Sequence, residues 1–187
     1  MPRRRVLISP ASIERERSDA HTLRVGLTCN DVKRSPDADT RKPVSRQYEM
    51  AHARHFGYPY YWVGPDLWGK SQVPMSVAAA RKQGASALRE LQELAAEERE
   101  AADSHLRSSA EVIGYAIEAA DGPIGHVEDF LVDESSWAVS GMIVDTRNWL
   151  PGGKVVLPPS AVADIDWQNK KVKVRLTREE IKSSRAP

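Results

Sequence analysis

Residues 111–176 read EVIGYAIEAADGPIGHVEDFLVDESSWAVSGMIVDTRNWLPGGKVVLPPSAVADIDWQNKKVKVRL. Short apolar runs alternate in this stretch with segments rich in Gly, Pro, Asp, Asn and Ser; the runs lie at 112–119, 124–132, 137–145, 154–157 and 171–176. Apolar runs separated by turn residues at this spacing are typical of strands joined by hairpins. The stretch therefore predicts an antiparallel β-meander.

The side chains of the predicted strands alternate between two faces. One face of the first run carries Ile113, Tyr115, Ile117 and Ala119. In the last run, apolar residues at 172, 174 and 176 alternate strictly with basic residues at 171, 173 and 175. About five or six such strands rarely stay flat, and closure removes their unpaired edges. We therefore predict a mainly β fold with a small antiparallel β-barrel in the C-terminal half.

The second run breaks this alternation, because Val127 is followed by Phe130 and then by Val132. One extra residue near Glu128 and Asp129 would let all three apolar side chains face inward. We therefore predict a β-bulge there.

The composition narrows the class of protein. The chain has 187 residues, 27 of them basic and 26 acidic, for a formal net charge of +1. This balance argues against a mainly electrostatic nucleic-acid binder, although it leaves room for a local basic patch. The single cysteine, Cys29, cannot form an internal disulfide, which favours a reducing compartment. Because no apolar run approaches the roughly 18 to 20 residues that span a bilayer, we expect a cytoplasmic protein.

The N-terminal segment repeats the end of the meander. Val6 aligns with Val155, and the same offset of 149 residues (155 − 6) continues without a gap to Ser35 and Ser184. Matching apolar and turn residues along one unbroken offset indicate an internal repeat. Each copy ends in a short predicted helix, which Thr177 opens with capping-box spacing in the second copy and more weakly in the first.

The N-terminal copy is incomplete, because only five residues precede Val6 where the other copy has three predicted strands. Three explanations stay open: the chain starts late within a longer gene product, another chain supplies the missing strands, or the segment docks on the complete barrel. Unpaired strands favour association. We expect the segment to be either the less ordered part of the chain or an assembly surface, and we expect a homo-oligomer.

Residues 37–105 have no counterpart after the second copy and predict a linker. Within them, 45–56 predicts a short helix, and 76–104 predicts a helix weakened at Gly84. Residues 57–69 (GYPYYWVGPDLWG) carry too many Gly and Pro residues for regular structure.

Two groups of residues form the candidate interaction surface. The first is the densest aromatic cluster of the chain and consists of Tyr58, Tyr60, Tyr61, Trp62 and Trp68. Tyr and Trp give large contact areas at low entropic cost, as partner-binding surfaces require. The alternative is a loop that folds back over a barrel and fills its open end.

The second group is the polar turn that contains Arg147 and Trp149. Arg and Trp are enriched in interfaces, and the alternative interpretation is a structural turn.

The sequence gives weaker support to a metal site than to the interaction surface. His126 lies beside acidic residues, and Glu49, His52 and His55 share one face of a predicted helix, but both groups lack further ligands. A small metal site around His126 stays a third hypothesis, and we predict no cofactor.

The basic row at 170–175 could contact phosphates, or it could be the solvent-exposed face of an edge strand. Because phosphate-loop and nucleophile motifs do not occur, the sequence disfavours an enzyme.

Several segments resemble the PRC-barrel family. The resemblance is carried by EVIGY at 111–115, DGPIGHVEDFLVD at 121–133, VDTRNWLPG at 144–152 and LT at 176–177. Residues VLISP at 6–10 resemble the second half of another such domain, and SRQYE at 45–49 and GYPYYWVG at 57–64 resemble the region between the domains of tandem members. The sequence departs from the family pattern at 140–142 and 157–159 and in the missing first half-domain.

The resemblance implies a small β-barrel without catalytic residues. The family includes the cytoplasmic domain of the photosynthetic reaction-centre H subunit and a domain of a ribosome-maturation factor, both of which bind macromolecules. We therefore expect a partial repeat at 1–36, a linker at 37–105 and a complete PRC-type barrel at 106–187. The expected function is a non-enzymatic adaptor for a protein partner in a membrane-associated assembly similar to the reaction centre. The alternative is ribosome or RNA association.

Overall fold

The computed structural model describes residues 5–14, 21–38, 44–77, 79, 106–147 and 153–183. The chain forms two compact units. The first comprises Met1–Arg107 with Ser135–Trp137, and the second comprises Ser108–Glu134 with Ala138–Pro187.

A six-stranded mixed sheet forms the second unit. Its strands are β1 (Ala116–Ala119), β2 (Gly122–Val132), β3 (Val139–Asp145), β4 (Lys154–Leu157), β5 (Val162–Asp166) and β6 (Lys171–Val174). Their order is β4-β3-β2-β1-β6-β5. Neighbours are antiparallel except β1 and β6, which are parallel. This sheet agrees with the prediction of a mainly β fold.

The predicted closure into an antiparallel barrel is wrong. Strands β4 and β5 are the two edges, and no ladder joins them within the described ranges. The chain leaves β4 through Pro158 and Pro159 into a 3₁₀ helix at Pro159–Ala161, and proline cannot donate to a ladder. After β5, strand β6 returns beside β1, so the sheet stays open.

The first predicted strand starts later than expected. Residues Ser109–Val112 form a short helix (α3), and Gly114 has a φ of 90°. Because these residues break the alternation, Val112 is buried and Ile113 is exposed, contrary to the predicted face. The third strand also starts late, since Trp137 has a φ of 58°. Strand β5 was not predicted.

The predicted β-bulge is confirmed. The β2–β3 register shifts between Val127 and Asp129. Val127 is fully buried and Phe130 packs against the core, as predicted. Val132 does not face inward as predicted but is 46% exposed, because it lies beyond a second register shift at the end of the ladder.

The core of the second unit is a single apolar cluster. Its buried members are Val112, Tyr115, Ile117, Ala119, Ile124, Val127, Met142, Val144, Val155, Leu157, Val172, Val174 and Ile181. Ile181 belongs to helix α4 (Arg178–Ser183). The predicted capping box holds this helix: Thr177 N donates to Glu180 Oε2 at 2.8 Å, and Glu180 N donates to Thr177 Oγ1 at 3.3 Å.

The described part of the first unit contains a 3₁₀ helix at Pro10–Ser12, helix α1 (Cys29–Arg34) and helix α2 (Arg46–Phe56). The predicted helix at 45–56 is confirmed: Ser45 caps it and Gly57 ends it at a φ of 75°. The irregular stretch at 57–69 has neither helix nor strand, as predicted. Almost all of the predicted helix at 76–104 lies outside the described residues.

The internal repeat is confirmed in three dimensions. Adding 149 to the bounds of the first 3₁₀ helix and of α1 gives the bounds of the second 3₁₀ helix and of α4. The bridge Ile13↔Val25 corresponds in the same way to the pair Val162↔Val174. The capping box of α1, at Thr28, is as complete as that of α4 and not the weaker one expected. Residues 5–14 and 21–34 therefore repeat the two short helices and one bridge of the segment from β4 to α4.

Candidate interaction surfaces

Two residues of the aromatic cluster lie in the core of the first unit. Tyr58 and Tyr60 are each 5% exposed. Tyr58 stacks on Phe56 with ring centroids 5.2 Å apart, and its hydroxyl lies 2.7 Å from that of Ser12. The aromatic stretch therefore folds back onto the N-terminal copy and α2.

The other three aromatic residues, together with Tyr58, line a cavity of about 320 Å³ in the first unit. Tyr61, Trp62 and Trp68 form its aromatic wall, and Leu7 and Ile8 of the N-terminal copy lie on its lining. Trp68 Nε1 also donates to the carbonyl oxygen of Ser136, a residue of the same unit, at 2.5 Å. These side chains are half-buried, and they give the first unit an apolar concave surface.

A buried ion pair fixes this wall from the helix side. Glu49 is 6% exposed and lies 2.7 Å from Arg46, whose guanidinium carbon sits 4.1 Å from the centroid of the Trp62 ring. The Tyr61 hydroxyl donates to Glu49 Oε1 at 2.6 Å. Burial, and then the Glu49 carboxylate, raise the pKa of Tyr61, so the phenol stays protonated. Sequence reasoning placed Glu49 on a metal-binding face and missed this pairing.

His52 joins α2 to the N-terminal copy. Its Nε2 atom donates to the carbonyl oxygen of Leu7 at 2.7 Å. Burial lowers the pKa of His52, although this hydrogen bond opposes the effect. The neutral ring therefore holds the segment at residues 5–8 against α2.

The repeat shows that this contact lies where the second copy has a sheet edge. In the second unit, Thr146 N donates to the carbonyl oxygen of Gly153 at 2.9 Å, and hydrogen-bonded pairs alternate along an antiparallel ladder. The backbone groups of Lys154 and Val156 therefore face away from β3. Their equivalents in the first copy are Arg5 and Leu7, whose carbonyl oxygens accept from Ala38 N and His52 Nε2. The edge is covered in the first copy.

The same edge is open in the second unit. Among the described residues, β4 has no neighbour on this side, and Val156 is 52% exposed. Gly141 lies between Val156 and Leu131: a Cβ on it would be 2.6 Å from Val156 Cγ1 and 3.4 Å from Leu131 Cδ1. Leu131 is also exposed, at 42%. Val156, Gly141 and Leu131 thus form an apolar row across three strands, which we call the β4 row.

Arg147 is held in place beside this sheet. Its Nε donates to Asp145 Oδ2 at 2.8 Å, and its backbone N donates to Asp145 Oδ1 at 2.9 Å. These hydrogen bonds lower the pKa of Asp145 to about 2, while the Arg147 side chain stays 75% exposed. Arg147 is therefore a pre-oriented surface cation. Trp149, the other candidate of this turn, lies outside the described residues.

The two groups considered for metal binding do not converge. In the described part of the chain, no three His, Cys, Asp or Glu side chains could hold a metal ion together. Glu128 lies 2.6 Å from Lys154, and His55 Nε2 donates to the carbonyl oxygen of Asp31.

The basic row of β6 lies inside the sheet and not at an edge, since β6 is between β1 and β5. Acidic residues of these neighbours face it: Lys171 is 3.5 Å from Glu118, and Lys173 is 3.7 Å from Asp164. The row is therefore partly neutralised.

A scan against protein-family models and a search of curated proteins found no match to this chain. Within the described residues, no helix has the length and apolar character needed to cross a bilayer.

Proposed function

We propose that this protein is a non-enzymatic adaptor that binds another protein through the β4 row and the open β4 edge. One observation carries the proposal: equivalent residues of the two copies are covered by other residues in the first copy and exposed in the second. In the first copy, Leu7 is bonded to α2 and lines a cavity under the aromatic stretch. In the second, the equivalent Val156 is 52% exposed. Exposed apolar side chains at an unpaired edge are typical of binding surfaces.

The residues that contact 5–8 in the first copy indicate which chemical groups a partner would present to β4. There, N–H donors from Ala38 and His52 meet the outward carbonyl oxygens, and aromatic side chains pack nearby. A partner at β4 would accordingly offer N–H groups to Lys154 and Val156, and an apolar face to Leu131. Added strands and apolar segments bind sheet edges in this way.

The resemblance to the PRC-barrel family supports the same function, because family members bind macromolecules. It also suggests a partner in a membrane-associated assembly of the reaction-centre type. RNA association has less support, since Lys171 and Lys173 face acidic partners at 3.5 and 3.7 Å and the net charge is only +1.

Quantitative affinity capture from the source cells tests the proposal. The tagged chain is used as bait for the soluble fraction and for detergent-solubilised membranes, alongside Val156→Asp and Val73→Asp. Val73 is 46% exposed in the first unit, which makes it the matched control. We expect one protein to be enriched by the wild type and by Val73→Asp. A charge in a binding surface costs roughly 1.4 kcal/mol or more, so Val156→Asp should lower its recovery about tenfold.

Equal thermal unfolding of the three baits shows that the substitution has not disturbed the fold. Recovery of no protein above background, or equal recovery by Val156→Asp, contradicts the proposal. Enrichment from the membrane fraction supports the reaction-centre-like setting, and enrichment from the soluble fraction alone contradicts that part.

A further inference from the structure

The cavity of the first unit has the dimensions and the lining of a small-molecule site. Its volume is about 320 Å³, and pockets that bind small molecules span roughly 300 to 1,000 Å³. All of its lining residues lie in the described part of the first unit. They are mainly aromatic and aliphatic, and they come from 7–11, α2, 58–68 and the single positions 44, 75 and 106. The cavity is therefore formed within one unit.

The cavity opens to solvent beside aliphatic side chains. Ile8, Leu67 and Leu106 line it and are 39%, 47% and 46% exposed, respectively. A ligand can therefore enter without unfolding of the unit, and it would bury apolar surface that faces water in the free protein.

Ring contacts hold the aromatic wall in a fixed arrangement. Tyr61 packs edge-on against Trp62 and Trp68, with ring centroids 5.0 and 6.2 Å apart. Trp62 in turn stacks on Tyr60 at 4.7 Å and is contacted by the Arg46 guanidinium at 4.1 Å. Because these side chains are already ordered, little conformational entropy is lost when a ligand binds beside them.

Hydrogen-bond donors of the lining are engaged within the protein. The Tyr48 hydroxyl donates to a backbone carbonyl oxygen at 3.1 Å, and Trp68 Nε1 donates to another at 2.5 Å. The Tyr61 hydroxyl and His52 Nε2 are likewise bonded to groups of the protein. A polar ligand would give up its hydrogen bonds to water without gaining these donors, so the cavity favours an apolar ligand.

The ionisable groups of the lining add up to no net charge. Glu49 is 6% exposed, and Arg46 neutralises its carboxylate at 2.7 Å. His52 is neutral because burial lowers its pKa. A charged ligand would leave water without gaining a partner of opposite charge, so the cavity favours a neutral one.

We propose that this cavity binds a neutral small molecule that carries an aromatic ring and few polar groups. The ring would pack among Tyr61, Trp62 and Trp68, because aromatic pairs are favourable at centroid distances of about 4.5 to 7 Å, the spacing within the wall itself. A polar group of the ligand would lie at the opening beside Leu67, where water can reach it. The cavity and the β4 row share no residue, so this binding goes beyond the adaptor function.

The probe is N-phenylnaphthylamine, a neutral aromatic molecule whose fluorescence rises in apolar surroundings. It is titrated into the full chain and into two variants of α2. Ala53 is buried and lines the cavity, whereas Ala51 is exposed on the same helix and lies outside the lining. We expect saturable binding to the wild type and to Ala51→Leu. In Ala53→Leu the added side chain fills part of the cavity, so the affinity should fall at least about tenfold.

The sulfonated form of the probe, anilinonaphthalenesulfonate, tests the preference for a neutral ligand. It keeps the aromatic rings and adds a negative charge, so it should bind at least about tenfold more weakly than the neutral probe. Equal or tighter binding of the sulfonated form would contradict the proposed ligand class.

Leu67→Asp keeps the proposal testable if Ala53→Leu does not fold, because Leu67 lies at the opening. It should lower the affinity at least about fivefold, whereas Val73→Asp, which is similarly exposed but outside the lining, should leave the affinity unchanged.

Three results would overturn the proposal: no saturable binding to the wild type, equal affinity of the wild type and the folded cavity variants, or loss of probe binding in Val156→Asp. The last result would place the probe on the β4 row. The adaptor function predicts that Val156→Asp loses partner capture and keeps probe binding, so the two proposals fail separately.

Discussion

Gly125 is the residue at which the β2–β3 ladder tolerates least change. Its φ is 145°, and a Cβ there would overlap the carbonyl oxygen of Asp145. This close approach puts Asp145 where it orients Arg147. We expect Gly125→Ala to lower the free energy of unfolding by at least about 3 kcal/mol, because backbone strain and a backbone clash add together. Urea denaturation followed by circular dichroism measures the loss.

Gly114→Ala is the matched control for this change. Gly114 has a φ of 90°, but a Cβ on it would meet no atom within 4 Å. We therefore expect Gly114→Ala to lower the free energy of unfolding by only about 1–2 kcal/mol, the cost of the backbone conformation itself. Equal losses at the two positions would show that the contact with Asp145 is not the cause.

His52 should make the stability of the first unit depend on pH. Burial lowers the pKa of His52 below its ordinary value of 6.5, so the unfolded chain binds the proton more tightly. The contribution is therefore complete above pH 6.5 and is lost as the pH falls towards the lower, folded-state pKa. Unfolding free energies at pH 7.5 and 5.5 measure the loss. His52→Gln, which keeps a donor for Leu7, should remove most of this pH dependence, whereas substitution of the exposed His21 by Gln should preserve it.

At the scale of single elements, local patterns could be predicted from the sequence. The alternation of Val172 and Val174, the bulge beside Val127 and the capping box at Thr177 each depend on neighbours in the chain. The structure contains all three. The constant offset of the repeat likewise predicted a short helix at the end of each copy, and the structure has both, α1 and α4.

The elements that sequence reasoning missed depend on distant contacts. Strand β5 has polar residues at Asp164 and Asp166 that hide its pattern, and its pairing with β6 defines it. Closure was predicted from strand number alone. The parallel pairing of β1 with β6, which leaves β4 at an edge, has no local signal.

The candidate site could be predicted in part. The aromatic stretch at 57–69 was identified from composition, but composition does not distinguish the buried Tyr58 and Tyr60 from the half-buried Tyr61. The exposed β4 row was missed altogether. The repeat could have pointed to it, because it aligns Val156 with Leu7. The two residues differ because Leu7 is bonded to α2, and α2 has no counterpart in the second copy.

At the scale of the whole molecule, the two copies of the repeat differ in the residues that cover them. In the first copy, Leu7 is bonded to α2 and Leu23 is 66% exposed. In the second copy, Val172 is buried beside β1 and Val156 is 52% exposed. The proposed adaptor function rests on the exposed Val156 at the open β4 edge.

Amide hydrogen exchange of the free full-length chain compares the two copies most directly. Residues 22–25 and 171–174 occupy equivalent positions but, among the described residues, only the second set has a strand on both sides. We expect the amides of 171–174 to exchange at least about 100-fold more slowly than those of 22–25, because paired strands in a core open far less often. Equal protection of the two sets would show that the first copy is already complete and would contradict the account.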